Sequence, residues 1–231
     1  ILWQTYVPAD IIVWLSEQEF PGRLNDLPEE LRKLTANGVK FKFVPENFRS
    51  HKKYYYVFRE YPDHKVITVD DDLIYPPNSI DRILSLSYQY PDTVCGNVIR
   101  KIRMDGNTFS VYRKWPKVFM MPVNSSLQNV AIGCGGIYYP SRWYGEELFD
   151  WKIISEHCPS ADDLWLKANE LKRRINVTGG GEFYPRPIEL PQTQNNSLQK
   201  KNNGKINLND KQWKSLNELW KLDELYCING K

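Results

Sequence analysis

An α/β fold, built on a mixed and mostly parallel sheet flanked by helices, is what this 231-residue sequence predicts. Three observations carry that expectation. Short apolar runs alternate with helical patterns through the first half of the chain, which is the signature of repeated β-α-β units. The run Val66-Ile67-Thr68-Val69 ends on three consecutive carboxylates, Asp70-Asp71-Asp72, and ligands of open α/β sheets bind outside the carboxyl ends of strands. Asp105-Gly106 is a strong turn signal between two strand-like stretches and marks a hairpin excursion.

The elements follow in order. Ile11-Ile12-Val13-Trp14-Leu15 reads as a short buried strand. Asn25 or Asp26 can cap a helix with Leu27, Leu31 and Leu34 on its stripe, Pro28 in its first turn and Gly38 past its end. Val39, Phe41 and Phe43 alternate with Lys40 and Lys42 at strand period. Ser50 to Tyr61 can form a helix ended by Pro62, and the strand Lys65 to Val69 then leads into the acid triplet. Pro77-Asn78 opens a helix with Ile80, Ile83 and Leu84 on one face. Thr93 to Ile99 is strand-like, and the hairpin is expected between 98–103 and 108–112. Val130 to Tyr139 reads as a strand interrupted by the bend Gly133-Cys134-Gly135-Gly136. After Pro159–Asp163 comes a helix carrying Leu164, Trp165, Leu166, Ala168 and Leu171, then a short strand at Ile175–Val177.

From Gln192 to Gln212 the sequence is almost all Asn, Gln, Lys and Ser, which buries little, so a mobile polar loop is expected. A final helix from about Leu208 to Leu222 aligns Trp213, Leu216 and Trp220. Docking onto the domain is its plain reading, and peripheral contact with an anionic membrane surface the second. No repeat or second domain is visible, so residues 1–231 read as one domain.

Eight Trp and fourteen Tyr are ample for a core and leave rings over to stack on flat apolar faces, sugars included. A net charge of +3 does not mark a nucleic-acid binder. Cys95, Cys134, Cys158 and Cys227 lie far apart with no C-x-x-C pair. That speaks against metal knuckles and redox motifs and leaves the reduced thiols of a cytoplasmic protein as the expectation. No apolar stretch reaches the roughly 18–20 residues that span a bilayer.

Three adjacent carboxylates repel one another unless a cation lies between them, and hard ions such as Mn2+ or Mg2+ prefer carboxylate oxygen. Asp70 and Asp72 could hold such an ion with phosphate oxygens completing its shell, while Asp71 accepts hydrogen bonds from a ribose or sugar hydroxyl. A solvated acidic turn is the alternative. Lys52 and Lys53 could meet phosphate charge or simply face solvent. Asp162-Asp163 starts a helix, where negative charge is favourable and where Ser160 resembles a capping box. One of these acids can cap while the other works as a base. Gly133, Gly135 and Gly136 allow close backbone approach to a ligand or an unusual bend.

In this order the motifs resemble a GT-A fold glycosyltransferase of the bacterial family-2-like group. Residues 66–76, with Asp70 and Asp72, are similar to that fold's strand and D-x-D motif. Residues 134–139 resemble its acceptor-side glycine strand, and Ala161-Asp162-Asp163-Leu164-Trp165 its E-D element with Asp replacing Glu. The resemblance spans about Asp10 to Val177. It implies Asp163 as catalytic base, and Asp70 and Asp72 as ligands of Mn2+ or Mg2+. Lys53, Asp70, Asp71 and Asp72 would bind the nucleotide sugar, with a UDP-sugar favoured. Gly135, Gly136 and Asp162 would border the glycan or glycolipid acceptor. Inverting transfer in bacterial polysaccharide biosynthesis is implied by that base, and the lack of a Q-x-x-R-W element after the acid pair speaks against a processive polymerase. A cytoplasmic enzyme, peripheral at the inner membrane face in the second reading, is the matching location. Ile1 to Thr5 resembles the end of a first helix, so the opening strand is expected to precede Ile1.

Two other classes fit parts of the pattern. A sugar nucleotidyltransferase also holds Mg2+ on carboxylates, although its glycine- and arginine-rich phosphate loop is not visible. A non-catalytic carbohydrate-binding domain would explain the aromatics and leave both acid pairs on the surface. A haloacid-dehalogenase-like phosphatase fits poorly, because Leu73-Ile74 follows Asp72 and the cluster is central.

Overall fold

The computed structural model describes residues 1–118, 122–180, 187–190 and 207–229. Its strands are β1 (Ile11–Ser16), β2 (Val39–Val44), β3 (Val66–Thr68), β4 (Leu73–Ile74), β5 (Thr93–Gly96), β6 (Ile99–Lys101) and β7 (Met104–Asp105). They continue as β8 (Thr108–Phe109), β9 (Lys117–Val118), β10 (Pro122–Ser126), β11 (Asn129–Ala131), β12 (Ile137–Tyr139), β13 (Asn176–Gly180) and β14 (Ile188–Glu189). The helices are α1 (Glu29–Arg32), α2 (Lys52–Glu60), α3 (Ser79–Gln89), α4 (Trp151–His157), α5 (Asp162–Arg173), α6 (Leu208–Trp220) and α7 (Leu222–Asn229).

A five-stranded sheet, ordered β10-β13-β5-β12-β3, forms the centre. β5 and β13 pair in parallel, whereas β12 runs against both β3 and β5, and β10 runs against β13. The sheet is therefore mixed but mostly antiparallel, which corrects the mostly parallel arrangement that the alternation of patterns predicts. The cause is local. After β11 the chain passes through a 3-10 turn at Gly133–Gly135 and through Gly136, whose φ of 76° strongly favours glycine. It then continues in the same direction, so that β11 and β12 run antiparallel to β6 and β5 in turn, with β12 lying between β3 and β5. No periodicity in Ile137-Tyr138-Tyr139 reveals where that strand inserts.

Successive residues of a strand face opposite sides of the sheet. Ile67, Cys95 and Tyr138 pack against Ile83 and Leu86 of α3 on one side. Val66, Val94, Ile137, Tyr139 and Val177 enter the main core on the other, with Tyr54 and Phe58 of α2 and Leu164, Trp165 and Ala168 of α5. β1 and β2 form a separate parallel pair, and α2 packs against both β1 and β3. All four cysteines are free thiols.

Several expected elements change shape. The helix expected from Asn25 onward is a 3-10 turn at Arg23–Asp26, one turn of α1 and a second 3-10 turn at Lys33–Asn37. Asn25 and Asp26 do not cap it; Asp26 accepts a hydrogen bond from the Gly22 amide at 2.6 Å instead. Its stripe has too little to dock on, since Leu27 is buried but Leu31 remains 42% exposed, and short helices need tertiary support. Residues 1–5 form turns, not the end of a helix. They are pinned by buried Gln4, which donates to Pro76 O (2.7 Å) and accepts from the Ile80 amide (3.0 Å). The strand expected over 93–99 breaks after Gly96. α4, capped by Asp150, was not foreseen.

The expected polar loop lies outside the described residues over 192–206, and Asn207 to Gln212 belong to the start of α6. Asn207 caps that helix by accepting from the Asp210 amide at 3.0 Å. α6 docks as its apolar face predicts. Trp213 meets Trp115 and Phe109 at ring distances of 5.1 and 5.2 Å, and Trp220 rests on Trp165 at 5.2 Å. No described helix is long and apolar enough to cross a membrane. Because Leu216 is fully buried in this contact, Leu216→Ala should lower stability by about 2–5 kcal/mol in urea unfolding. A helix lying on the surface would lose well under 1 kcal/mol.

Candidate functional site

Lys52 and Lys53 begin α2, and consecutive helical residues point about 100° apart. Lys52 turns away from the acids, to Glu19 (2.8 Å) and Asn47 (3.0 Å). Lys53 turns inward. Its Nζ lies 3.0 Å from Asp70 Oδ1, just past β3, and 2.7 Å from Asp162 Oδ2 at the start of α5. One ammonium thus joins the two acid groups that are far apart in the chain.

Asp162 and Asp163 are the first two residues of α5, where the helix dipole favours negative charge. The expected capping box is absent. Ala161 is the cap residue and makes no side-chain bond, while the Ser160 amide donates to Gln212 of α6 at 2.8 Å. That tether fixes the entry to α5 from the C-terminal side. Asp163 Oδ2 accepts a hydrogen bond from the Gly133 amide at 3.1 Å. Its Oδ1 is buried and has no hydrogen-bond partner among the described residues.

The two neighbouring carboxyls differ in proton affinity. Burial, followed by the charges of Asp162 and Asp70, raises Asp163 to about 7 against the opposing pull of Lys53. Burial also works to raise Asp162, but Lys53 and the other groups around it outweigh that and hold its carboxyl below the usual range. Burial opposes the charge on Lys53, and Asp162, Asp70 and Asp163 together keep it protonated. Beside Asp162, fully buried His51 faces Cys158 O from Nε2 (2.9 Å) and the Tyr54 hydroxyl from Nδ1 (3.0 Å). A carbonyl can only accept, so Nε2 carries the proton. Burial pulls this imidazole down to about 4 and keeps it neutral.

The other expected site residues are placed as follows. Asp71 is exposed at the tip of the turn. Asp72 is half-buried, and its carbonyl accepts from the Leu190 amide at 3.0 Å, where β14 pairs antiparallel with β4. Gly135 and Gly136 pack into the fold beside the charged cluster without joining it. A Cβ on Gly135 would come within 2.6 Å of the Val98 amide nitrogen, and Asn97 donates to Gly135 O at 2.9 Å. The glycine at the cluster is Gly133. A Cβ there would lie 2.7 Å from Lys53 Nζ, 3.2 Å from Asp70 Oδ1 and 3.4 Å from Asp163 Oδ1. Buried Tyr75 also reaches the cluster, since its hydroxyl accepts from the Asp70 amide at 2.9 Å. Sequence reasoning missed Tyr75, and an aromatic residue just before two prolines gives no signal of such a bond.

Neither a protein-family model nor a curated protein matches this chain. Asp70 and Asp72 offer oxygen donors, which suit a hard divalent cation. Among the described residues no three Asp, Glu, His or Cys side chains are grouped as a cation cage. Magnesium, however, usually takes only one or two carboxylates and completes its shell with phosphate and water. The donor chemistry therefore fits a cation that binds together with a diphosphate.

Gly133→Ala should push a methyl group into the Lys53–Asp70–Asp163 cluster and cost about 1–3 kcal/mol in chemical denaturation. Unchanged stability would mean that Lys53 moves aside freely.

Proposed function

We propose that this chain is a metal-dependent glycosyltransferase of the GT-A type. It would move a sugar from a nucleoside-diphosphate sugar, a UDP-sugar in the favoured case, to a hydroxyl of a glycan or glycolipid acceptor. The observation that carries the reading is the meeting of two acid groups through Lys53. One stands at a strand end, as donor-phosphate sites do in α/β folds, and the other opens a helix with a carboxyl raised toward neutrality. A carbohydrate-binding surface has no need of a buried carboxylate with an unpartnered oxygen.

Within this reading each side chain has a task. Asp70 and Asp72 hold Mn2+ or Mg2+, which when bound neutralises the diphosphate leaving group. Asp71, exposed at the turn, accepts hydrogen bonds from the donor's hydroxyls. Lys53 keeps Asp70 and Asp162 apart in charge and close in space. Asp163 is the base, and its free Oδ1 takes the proton of the attacking acceptor hydroxyl. A group poised near neutrality is efficient at that task because it is substantially deprotonated and still basic. With the base across from the leaving group, the sugar carbon is inverted. Gly133 gives these groups the room that a side chain would take. The chain would work in the cytoplasm, at or near the inner face of the membrane when its acceptor is a glycolipid.

The pH dependence has a definite sign. Asp163 acts as a carboxylate, so kcat/KM should rise about tenfold per pH unit below about 7 and level off above it. Asp163→Asn should lower kcat by about 10²–10⁴ and remove that limb while leaving UDP binding in place. A rate unchanged by this substitution would end the assignment of the base.

The donor site is tested separately by calorimetric titration of UDP in manganese buffer. Asp72→Asn should weaken binding by about tenfold or more, equivalent to about 1.4 kcal/mol. Wild-type protein that shows no metal-dependent affinity for UDP would favour a carbohydrate-binding module over a transferase.

A further inference from the structure

The geometry points to Tyr75 as a positioning residue that locks the acid turn to the glycine turn, and so sets Asp70 in place relative to Asp163. Three hydrogen bonds make the link. The Asp70 amide donates to Tyr75 Oη at 2.9 Å, Tyr75 Oη donates to Gly133 O at 3.5 Å, and the Gly133 amide donates to Asp163 Oδ2 at 3.1 Å. Lys53 closes the same circuit from the other side, through Asp70 and Asp162. The result is a ring of contacts running Asp70, Tyr75, Gly133, Asp163, Asp162, Lys53 and back to Asp70.

The two halves of the ring do different work. Lys53 holds side chains by charge, and charge alone tolerates sliding of the partners. Tyr75 holds backbone, which fixes where Asp70 starts. Asp70 lies beyond the last residue of β3, so its amide is outside the strand ladder and takes the phenol as its acceptor. This bond is partly shielded from water, and a shielded donor that loses its acceptor is costly, which gives the bond its holding power. Gly133 O also accepts from the Gly136 amide at 2.8 Å, so the tyrosine adds a second donor to an already anchored carbonyl. The ring of Tyr75 is buried, and burial with the nearby Asp70 charge holds its phenol far above the usual range. It therefore stays protonated and able to donate.

The consequence for ligand binding rests on the transferase reading, whereas the bridge itself does not. Tyr75→Phe keeps the buried ring and removes only the hydroxyl. Amide hydrogen exchange on the full chain, followed by NMR, gives the direct test. In wild-type protein the Asp70 amide should be strongly protected; exchange at the rate of a free peptide would show that the bond is not made, whether or not the variant folds. In Tyr75→Phe the Asp70 and Gly133 amides should exchange at least about tenfold faster relative to those of Ala168 and Leu216, deep in α5 and α6. No change, or the same acceleration at all four amides, would overturn the bridge.

The second measurement is UDP affinity in manganese buffer. With wild-type binding established, Tyr75→Phe should weaken it about tenfold, and unchanged affinity beside loosened amides would overturn the positioning role. Should wild-type protein bind no UDP at all, the transferase reading fails while the exchange data still decide the bridge.

Discussion

The Lys53 ammonium, held between Asp70 and Asp162, is the interaction on which the rest of the site depends. Three carboxyls crowd around it in a partly buried place, where like charges interact more strongly than they do in water. Without a cation there, two of them would have to take up protons or move apart. With it, Asp162 stays ionised and the strain of crowding falls on Asp163, which responds by raising its proton affinity. Two adjacent residues on one helix thus acquire opposite behaviour from their surroundings, a division seen wherever paired carboxyls serve acid–base chemistry.

The fold supplies this arrangement by rigidity. Lys53 sits on α2, whose Tyr54 and Phe58 are in the core, and Asp162 sits on α5, which is buried along most of its length. The third support is the Gly133–Gly136 turn that interrupts the path from β11 into β12. This turn lays the Gly133 amide against Asp163.

Much of this was legible in the sequence. The acid triplet at a strand end, the acid pair at a helix start, the Asp105-Gly106 turn and the aromatic face of α6 all announce themselves through local pattern. What was hidden depends on contacts between segments distant in sequence. Lys52 and Lys53 look alike in the chain, and only packing decides that the first faces Glu19 and the second the acids. Gly133, Gly135 and Gly136 are equally permissive on paper, yet Val98 claims the neighbourhood of Gly135 and the charged cluster that of Gly133. The helix expected after Asn25 failed because a periodic stripe is only an opportunity for burial, and too little of the fold lies opposite Leu31 to use it.

The placement of Asp162 so late in the chain bears on how the molecule is born. Proteins emerge from the ribosome N-terminus first, and domains fold as units once enough of their core is available. Lys53 and Asp70 leave the tunnel long before Asp162, and with them a nascent chain has neither Leu164 nor Trp165 to complete its interior. The ammonium can find its second carboxylate only when α5 arrives, and the hydrophobic interior closes later still, once β13 and α6 follow. Assembly of the charged cluster thus waits for the later part of the chain, so a half-made chain cannot present a finished site.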